Sequence, residues 1–468
     1  ALTGYFRYLY VPAPHTIYRH ARKLLPGHIL TVENPRDPLP PPVPYWSLDE
    51  VASRGISTPL ACSEEDAVEL GDRLLQETVA GAVYADVPVG AFLSGGIDSS
   101  LVVACMQAAT SRPVKTFSIA FREKEYNEAP HAARVAHHLG TDHTELTLTA
   151  DEARAVVPRL AEIFDEPFAS PSAIPNLLVS ELARRHVTVA LSGAGGDELF
   201  GGYNRYTYGA ELLGRLTRVP RVARRFSAAA IGSLRPETWN RLYGVAAPVL
   251  PRSLRHRLPG IKLAKLGLLL DEPTPMAMYR SLVSAWPEPE RLVVAGRERP
   301  GLLARALANG PRGAHWLDRL MLADQLTYLP DDQLAMVDRA SMAVSLEVRV
   351  PFLERPMIEF AWRLPARLKA RNGQGKWLLR QMLYRRVPRE LVDRPKMGLS
   401  VPIEAWLRGP LRGWADALLD PDRLERQGIL RAGPIRDAWT AFQAGRAHTA
   451  LPLWTAIVFQ AWAERWLP

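Results

Sequence analysis

Ser94-Gly95-Gly96-Ile97-Asp98-Ser99-Ser100 follows the apolar run Gly90-Ala91-Phe92-Leu93 and precedes Leu101-Val102-Val103-Ala104-Cys105-Met106. This order predicts a buried strand, a tight glycine loop and a helix N-terminus. Such a loop directs unpaired backbone N–H groups and the positive end of a helix dipole at one point, which suits an anion. Gly95 and Gly96 let the backbone bend and approach a phosphate without a Cβ clash. A plain turn with Asp98 or Ser99 as the helix cap is the competing reading. The spacing is neither that of a Walker loop nor that of a dinucleotide G-x-G-x-x-G.

Strand and helix signals alternate on both sides of this loop. Ser63-Glu64-Glu65-Asp66 has the form of a capping box, and Ala67, Leu70 and Leu74 then follow helical spacing. Residues 87–93, 114–121, 143–148 and 187–191 are predicted strands, and 127–139, 153–163 and 173–185 are predicted helices. Strands separated by helices form right-handed β-α-β units. The expected fold is therefore α/β, with a doubly wound, mostly parallel sheet whose site lies at the strand C-terminal ends. This core spans about 61–205. Beyond it strand signals fade, and about 206–468 reads as a largely helical half.

Upstream, Val11-Pro12-Ala13-Pro14 is turn-like and Leu25-Pro26-Gly27-His28 introduces the β-like Ile29-Leu30-Thr31-Val32. Residues 33–60 hold Pro35, Pro38, Pro40, Pro41, Pro42 and Pro44, too dense for a helix or a central strand. They are expected to form an extended linker. The 468 residues and 47% hydrophobic content allow two or three domains with a large core. No apolar run reaches the ~18 residues of a membrane span. The first residues lack the pattern of a signal peptide. Cys62 and Cys105 give no zinc or disulfide framework, so a cytoplasmic location is expected.

The net charge of +9 raises nucleic acid as a partner. Its arginines cluster at Arg215, Arg218, Arg221, Arg224 and Arg225, and at Arg252, Arg255 and Arg257, without the aromatic interleaving of RNA binders. Solvated helix faces or protein contacts account for them better. No membrane partner is expected, and a homodimer is among the assemblies to expect.

A second buried-type strand, Val187-Thr188-Val189-Ala190-Leu191, runs into Ser192-Gly193-Ala194-Gly195-Gly196-Asp197-Glu198-Leu199-Phe200-Gly201-Gly202-Tyr203. Two glycine loops at the ends of parallel strands can close on one nucleotide from either side. The first loop resembles the PP-loop of ATP pyrophosphatases, enzymes that cleave ATP between the α- and β-phosphates. The pair of loops is similar to the synthetase domain of glutamine-hydrolysing asparagine synthetases. Asp165-Glu166-Pro167-Phe168, Leu329-Pro330-Asp331-Asp332, Asp338-Arg339-Ala340-Ser341-Met342, Leu346-Glu347-Val348-Arg349, Gly375-Lys376 and Arg394-Pro395-Lys396-Met397-Gly398 match the same family.

The resemblance implies an ATP-dependent ligase that adenylates a carboxylate, aspartate first among the candidates, and transfers ammonia to it. It implies that residues 1–32 correspond to the end of a glutaminase domain whose remainder would be a separate partner or a missing segment. Within 61–468 it assigns Leu93, Ile119, Ser192 and Gly193 to adenosine. It assigns Ser94, Gly95, Gly96, Ser99 and Ser100 to phosphates, Asp98 and Asp197 to magnesium, and Lys376 to the charge on the phosphates. Two positions depart from the family pattern. Ala194 stands where Glu or Asp is usual, and Glu354 where Asp is usual. Loss of a positioned base costs ~10²–10⁴-fold. An engineered change, a relative with another nucleophile, and Glu198 acting instead are the readings of Ala194. Relatives that amidate sugar acids or close macrolactams, a tRNA-modifying enzyme of the same loop type, and an inactive subunit stay open as alternatives.

Overall fold

The computed structural model describes residues 1–468 apart from 35, 122–126, 217, 235–237, 240, 243–258, 299–300, 309, 312, 395–400, 446–449 and 468. Arg252, Arg255, Arg257 and the stretch Pro395-Lys396-Met397-Gly398 lie outside the described residues.

A five-stranded parallel sheet forms the centre. Its strands are β1 (Val89–Phe92), β2 (Lys115–Phe121), β3 (Asp142–Leu148), β4 (Val189–Leu191) and β5 (Glu347–Arg349). The spatial order is β3-β2-β1-β4-β5. The chain grows outward from β1 through β2 to β3, then returns to the other side of β1 with β4. The crevice beyond β1 and β4 is thus the topological switch point, where α/β sheets bind ligands.

Helices cover both faces. They include α1 (Glu64–Val83), α2 (Ile97–Ala108), α3 (Ala129–Leu139), α4 (Ala150–Ile163) and α5 (Ala173–Arg184). Strand alternation divides the apolar side chains between the faces. Leu191 joins Leu101, Val103, Val135 and Leu379 on one side, and Ala190 joins Phe117, Leu160, Leu177 and Leu182 on the other. Ser63 caps α1 in a reciprocal capping box with Asp66, as the sequence predicts. Cover on both faces suits the short apolar runs of β1 and β4, whereas β3 alternates and is partly exposed.

Two expectations are corrected. The sheet does not end at about residue 205, because β5 comes from the helical half. Glu347 N–H donates to Thr188 O at 3.0 Å, and Ser192 N–H donates to Arg349 O at 2.9 Å. β5 therefore anchors the second glycine loop, although three residues are too few to register as a strand signal. Within 33–60, only part is extended. Val43–Pro44 pairs with His28–Ile29, but Leu48–Ser57 is a helix. No proline lies between Pro44 and Pro59, Ser47 Oγ accepts from Glu50 N–H, and Val51 and Ala52 pack against Leu322 and Trp362. Capping and burial outweigh the proline-rich context.

The start of the chain is part of the main core. Tyr5, Phe6, Tyr10 and Val11 are buried with Trp454, Phe459 and Trp462 of the helix Leu451–Trp466. Tyr5 Oη donates to Thr455 O at 2.7 Å. No helix among the described residues is long and apolar enough to cross a membrane.

Candidate active site

A cleft of about 960 Å³ opens at the switch point. Leu93, Ser94, Gly96, Asp98, Ser99, Ile119, Ser192, Gly193, Ala194, Asp197 and Lys376 all line it. These positions lie on four separate stretches of chain, and the fold gathers them. Gly95 and Ser100 do not line it. Gly95 makes the turn at φ +70°, where a Cβ would lie 2.7 Å from His131 C and Ala132 N at the start of α3. Ser100 is fully buried in the first turn of α2.

Local hydrogen bonds shape the first loop. Ser94 N–H donates to Ser99 Oγ at 3.2 Å, the two hydroxyls are 3.0 Å apart, and Gly96 N–H donates to Ser94 Oγ at 3.3 Å. Gly96 then caps α2 without a side chain, so its amides stay directed at the cleft. Arg394 steadies the loop from outside, donating to Ser94 O at 3.3 Å and to Glu128 Oε1 at 2.7 Å.

The second loop packs directly on the first. A Cβ on Gly193 would lie 2.8 Å from Ser99 N, and one on Gly196 would lie 2.7 Å from Asp98 Cγ. These glycines are required by loop-to-loop contact. Across the junction, Lys376 Nζ bridges Asp98 Oδ2 and Asp197 Oδ1, the latter at 2.7 Å. Burial pushes the Lys376 ammonium toward deprotonation, but the carboxylates of Asp197 and Asp98 outweigh it and hold the pKa above its ordinary value.

Lys376 reaches this point through a strained backbone. Ala370–Arg371 and Gln374–Gly375 form a hairpin whose turn is Asn372-Gly373, at φ +53° and +75°. Asn-Gly is the preferred pair for such a turn. Lys376 itself has φ +58°, unusual for a residue with a Cβ, and donates its N–H to Phe200 O at 3.0 Å. Gly202 makes the room, since a Cβ there would lie 2.1 Å from both Asp197 Oδ1 and Lys376 Cε.

Ala194 faces the cleft, and its N–H donates to Ser192 Oγ at 3.3 Å. Glu198 does not line the cleft. Its carboxyl is buried and accepts from Tyr203 Oη at 2.7 Å. Burial, reinforced by the Asp197 charge, pushes its pKa up to about 7. Glu198 therefore does not take the place of an acid at position 194. Sequence reasoning missed Glu128, Arg380, Asn176 and Gln333, which also line the cleft. Gln333 lies on a π-helical turn, Leu329–Leu334, a form found at functional sites. Asp331 and Asp332 on the same turn are held by Ala13 N–H at 2.8 Å and by Ser170 Oγ at 3.3 Å.

The asparagine synthase family model matches residues 71–464, which contain both loops, β5 and Lys376. The chain belongs to this family. Asparagine synthetase [glutamine-hydrolyzing] 1 of Bacillus subtilis is 30% identical over 470 residues, covering 99% of this chain and 68% of that protein. A Mycobacterium tuberculosis protein with an asparagine synthetase name is 33% identical over 476 residues, covering 99% of this chain and 67% of its own length. Amidase chyE of Penicillium rubens is 25% identical over 459 residues, covering 90% and 65%. Membership of the asparagine synthase family supports an ATP-dependent amidating ligase, with a five-stranded parallel sheet as its core.

Proposed function

We propose that this family member adenylates a carboxylic acid in the cleft and passes the acyl group to ammonia, giving an amide, AMP and pyrophosphate. Aspartate is the first acid to test. The observation that carries the reading is the Asp98–Lys376–Asp197 bridge set between two glycine loops at one switch point. A carboxylate resists ammonia because its leaving group would be oxide. Exchanging that for AMP divides one hard step into two easier ones.

In this reading the first loop is of the PP-loop type. Ser94, Gly96 and Ser99 hold phosphate oxygens, and Leu93, Ile119, Ser192 and Gly193 hold the adenosine. Lys376 balances negative charge as the bond between the α- and β-phosphates breaks. Asp98 and Asp197 suit magnesium, since hard carboxylate oxygens converge there on a single cation, and phosphates complete the usual coordination. Magnesium would neutralise charge on the pyrophosphate, and Lys376 Nζ would then turn from the carboxylates to the phosphates.

The test is pyrophosphate release from ATP and magnesium with a panel of carboxylic acids, with and without ammonium. Acid-dependent release supports the reading, and the acid that gives it names the substrate. Silence with every acid refutes it and favours an inactive subunit.

A further inference from the structure

A second cavity, of about 540 Å³, adjoins the cleft and shares Thr207, Asn372 and Gly373 with it. Arg215, Arg218, Arg367, Arg371 and His315 line it beside Trp316, and no Asp or Glu is among its described lining residues. The cleft is different, because its cations are matched by acids. Lys376 is held by Asp98 and Asp197, Arg380 by Asp393 at 2.5 Å, and Arg394 by Glu128 at 2.7 Å. In the annex, Arg371 is paired with Glu64 and lies 4.5 Å over the Trp377 ring. Arg218 and Arg367 are exposed and form no ion pair with a described residue.

Arg218 and Arg367 leave two guanidinium groups at this cavity for an anion to match. Their planar forks match carboxylate and phosphate oxygens. The annex also shares a wall with the chemistry. The Asn372-Gly373 turn joins a strand carrying Arg371 on the annex side to one ending in Gly375, which leads directly into Lys376 on the cleft side.

We propose that the annex binds a second anionic group of the acid activated in the cleft. The substrate is then a polyanionic acid, bearing a phosphate or a further carboxylate remote from the reacting one. This rests on the amide-ligase reading and narrows its substrate class. Because the hairpin sets Lys376, binding in the annex steadies the reacting geometry, and acids lacking the remote anion lose kcat as well as affinity.

The experiment uses the full chain, its Arg218→Ala/Arg367→Ala double variant, the corresponding double lysine variant, and Arg291→Ala as a control for diffuse charge. Arg291 is exposed and pairs with Glu288. Calorimetry measures binding of 6-phosphogluconate, tricarballylate and acetate, with ATP binding measured separately. The expected result is binding of at least one polyanion, weakened about tenfold or more in the double alanine variant and largely restored by lysine. Acetate binding, if measurable, is unchanged. Preference for 6-phosphogluconate assigns the annex to phosphate, and preference for tricarballylate to carboxylate. Absence of polyanion binding overturns the proposal, as does equal binding to the parent and the double alanine variant, or equal weakening by Arg291→Ala. Calorimetry reads the annex even if no acid supports pyrophosphate release, so failure of the ligase reading stays distinguishable.

Discussion

Replacing Lys376 by methionine removes the ammonium that Asp98 and Asp197 share while keeping most of the side-chain volume. The three side chains are 8%, 14% and 17% exposed, so the bridge is largely desolvated. Breaking a buried ion pair by deleting one partner costs about 3–5 kcal/mol. The residual exposure points to the lower end. At about 2.1 cal/mol/K per residue, a chain of this length loses only about 3 °C in Tm for 3 kcal/mol. The more decisive signature is pH dependence. Without the ammonium, two nearby carboxylates repel, and the folded state favours taking up a proton. A carboxyl raised in the folded state contributes stability at low pH that is lost as pH rises through its folded value. The Tm gap between parent and Lys376→Met is therefore expected to be smallest at or below about pH 4, the ordinary carboxylate value, and to widen as pH rises toward 8. Magnesium without ATP should raise the variant's Tm more than the parent's, since a cation regains both carboxylates. Acid-dependent pyrophosphate release should fall ~10²–10³-fold, the cost of losing one preorganised electrostatic contact. A gap that is flat across pH, or a variant indifferent to magnesium, would refute the bridge as the organising charge of the site.

Gly193→Ala and Gly196→Ala should each weaken ATP binding and cost about 1–3 kcal/mol, because their methyl groups meet the Asp98–Ser99 segment at 2.7–2.8 Å. Gly81→Ala, inside α1 with nothing within 4 Å, should instead stabilise by about 1 kcal/mol in the same thermal assay. Ala194→Asp should raise ammonia-dependent amide formation by ~10²–10⁴-fold, read by product analysis; no gain would show that the missing carboxylate does not limit this chain. Glu198, with a folded pKa of about 7 against the ordinary 4.5, should make the parent lose stability as pH rises between those values. Glu198→Gln should then be more stable than the parent at pH 8 and lose that advantage at pH 5, in a Tm comparison.

Much of the sheet was legible because its long-range partners impose a local pattern. β1 and β4 are short apolar runs that end in glycine loops, and β2 adds Phe117, Ile119, Ala120 and Phe121 to the buried set. β5 has no such pattern, being a three-residue edge strand recognised only once Thr188 and Ser192 bond to it. The helix Leu48–Ser57 was hidden by the prolines before it, although Ser47 and the Asp49-Glu50 first turn form a legible start signal. In the site, the loop residues could be named from sequence, whereas Lys376 needed the family resemblance, since an isolated lysine reads as surface. The Asn372-Gly373 turn just before it is a hairpin pair by residue type, a signal the reading of Lys376 did not use. Arg394 and Glu128 are 266 residues apart, and no local signal joins them.

The glycines of both loops are set by contacts within the chain. From sequence, Gly95 and Gly96 suit the approach of a phosphate. Gly95 meets the start of α3, and Gly193 and Gly196 meet the backbone and carboxyl of the opposite loop. Gly202 admits the Lys376 and Asp197 side chains, and Gly375 passes 2.1 Å, measured from a would-be Cβ, from Gly201 O. A glycine-rich loop therefore reports close approach of some kind, and sequence alone does not distinguish a ligand from another piece of the chain. Here that approach brings Asp98, Asp197 and Lys376 into one bridge. The glycines act on the chemistry by fixing where three charges meet. Substitutions that leave every charged residue intact should still move the site's electrostatics, which is why the glycine variants are as direct a test of the site as Lys376→Met.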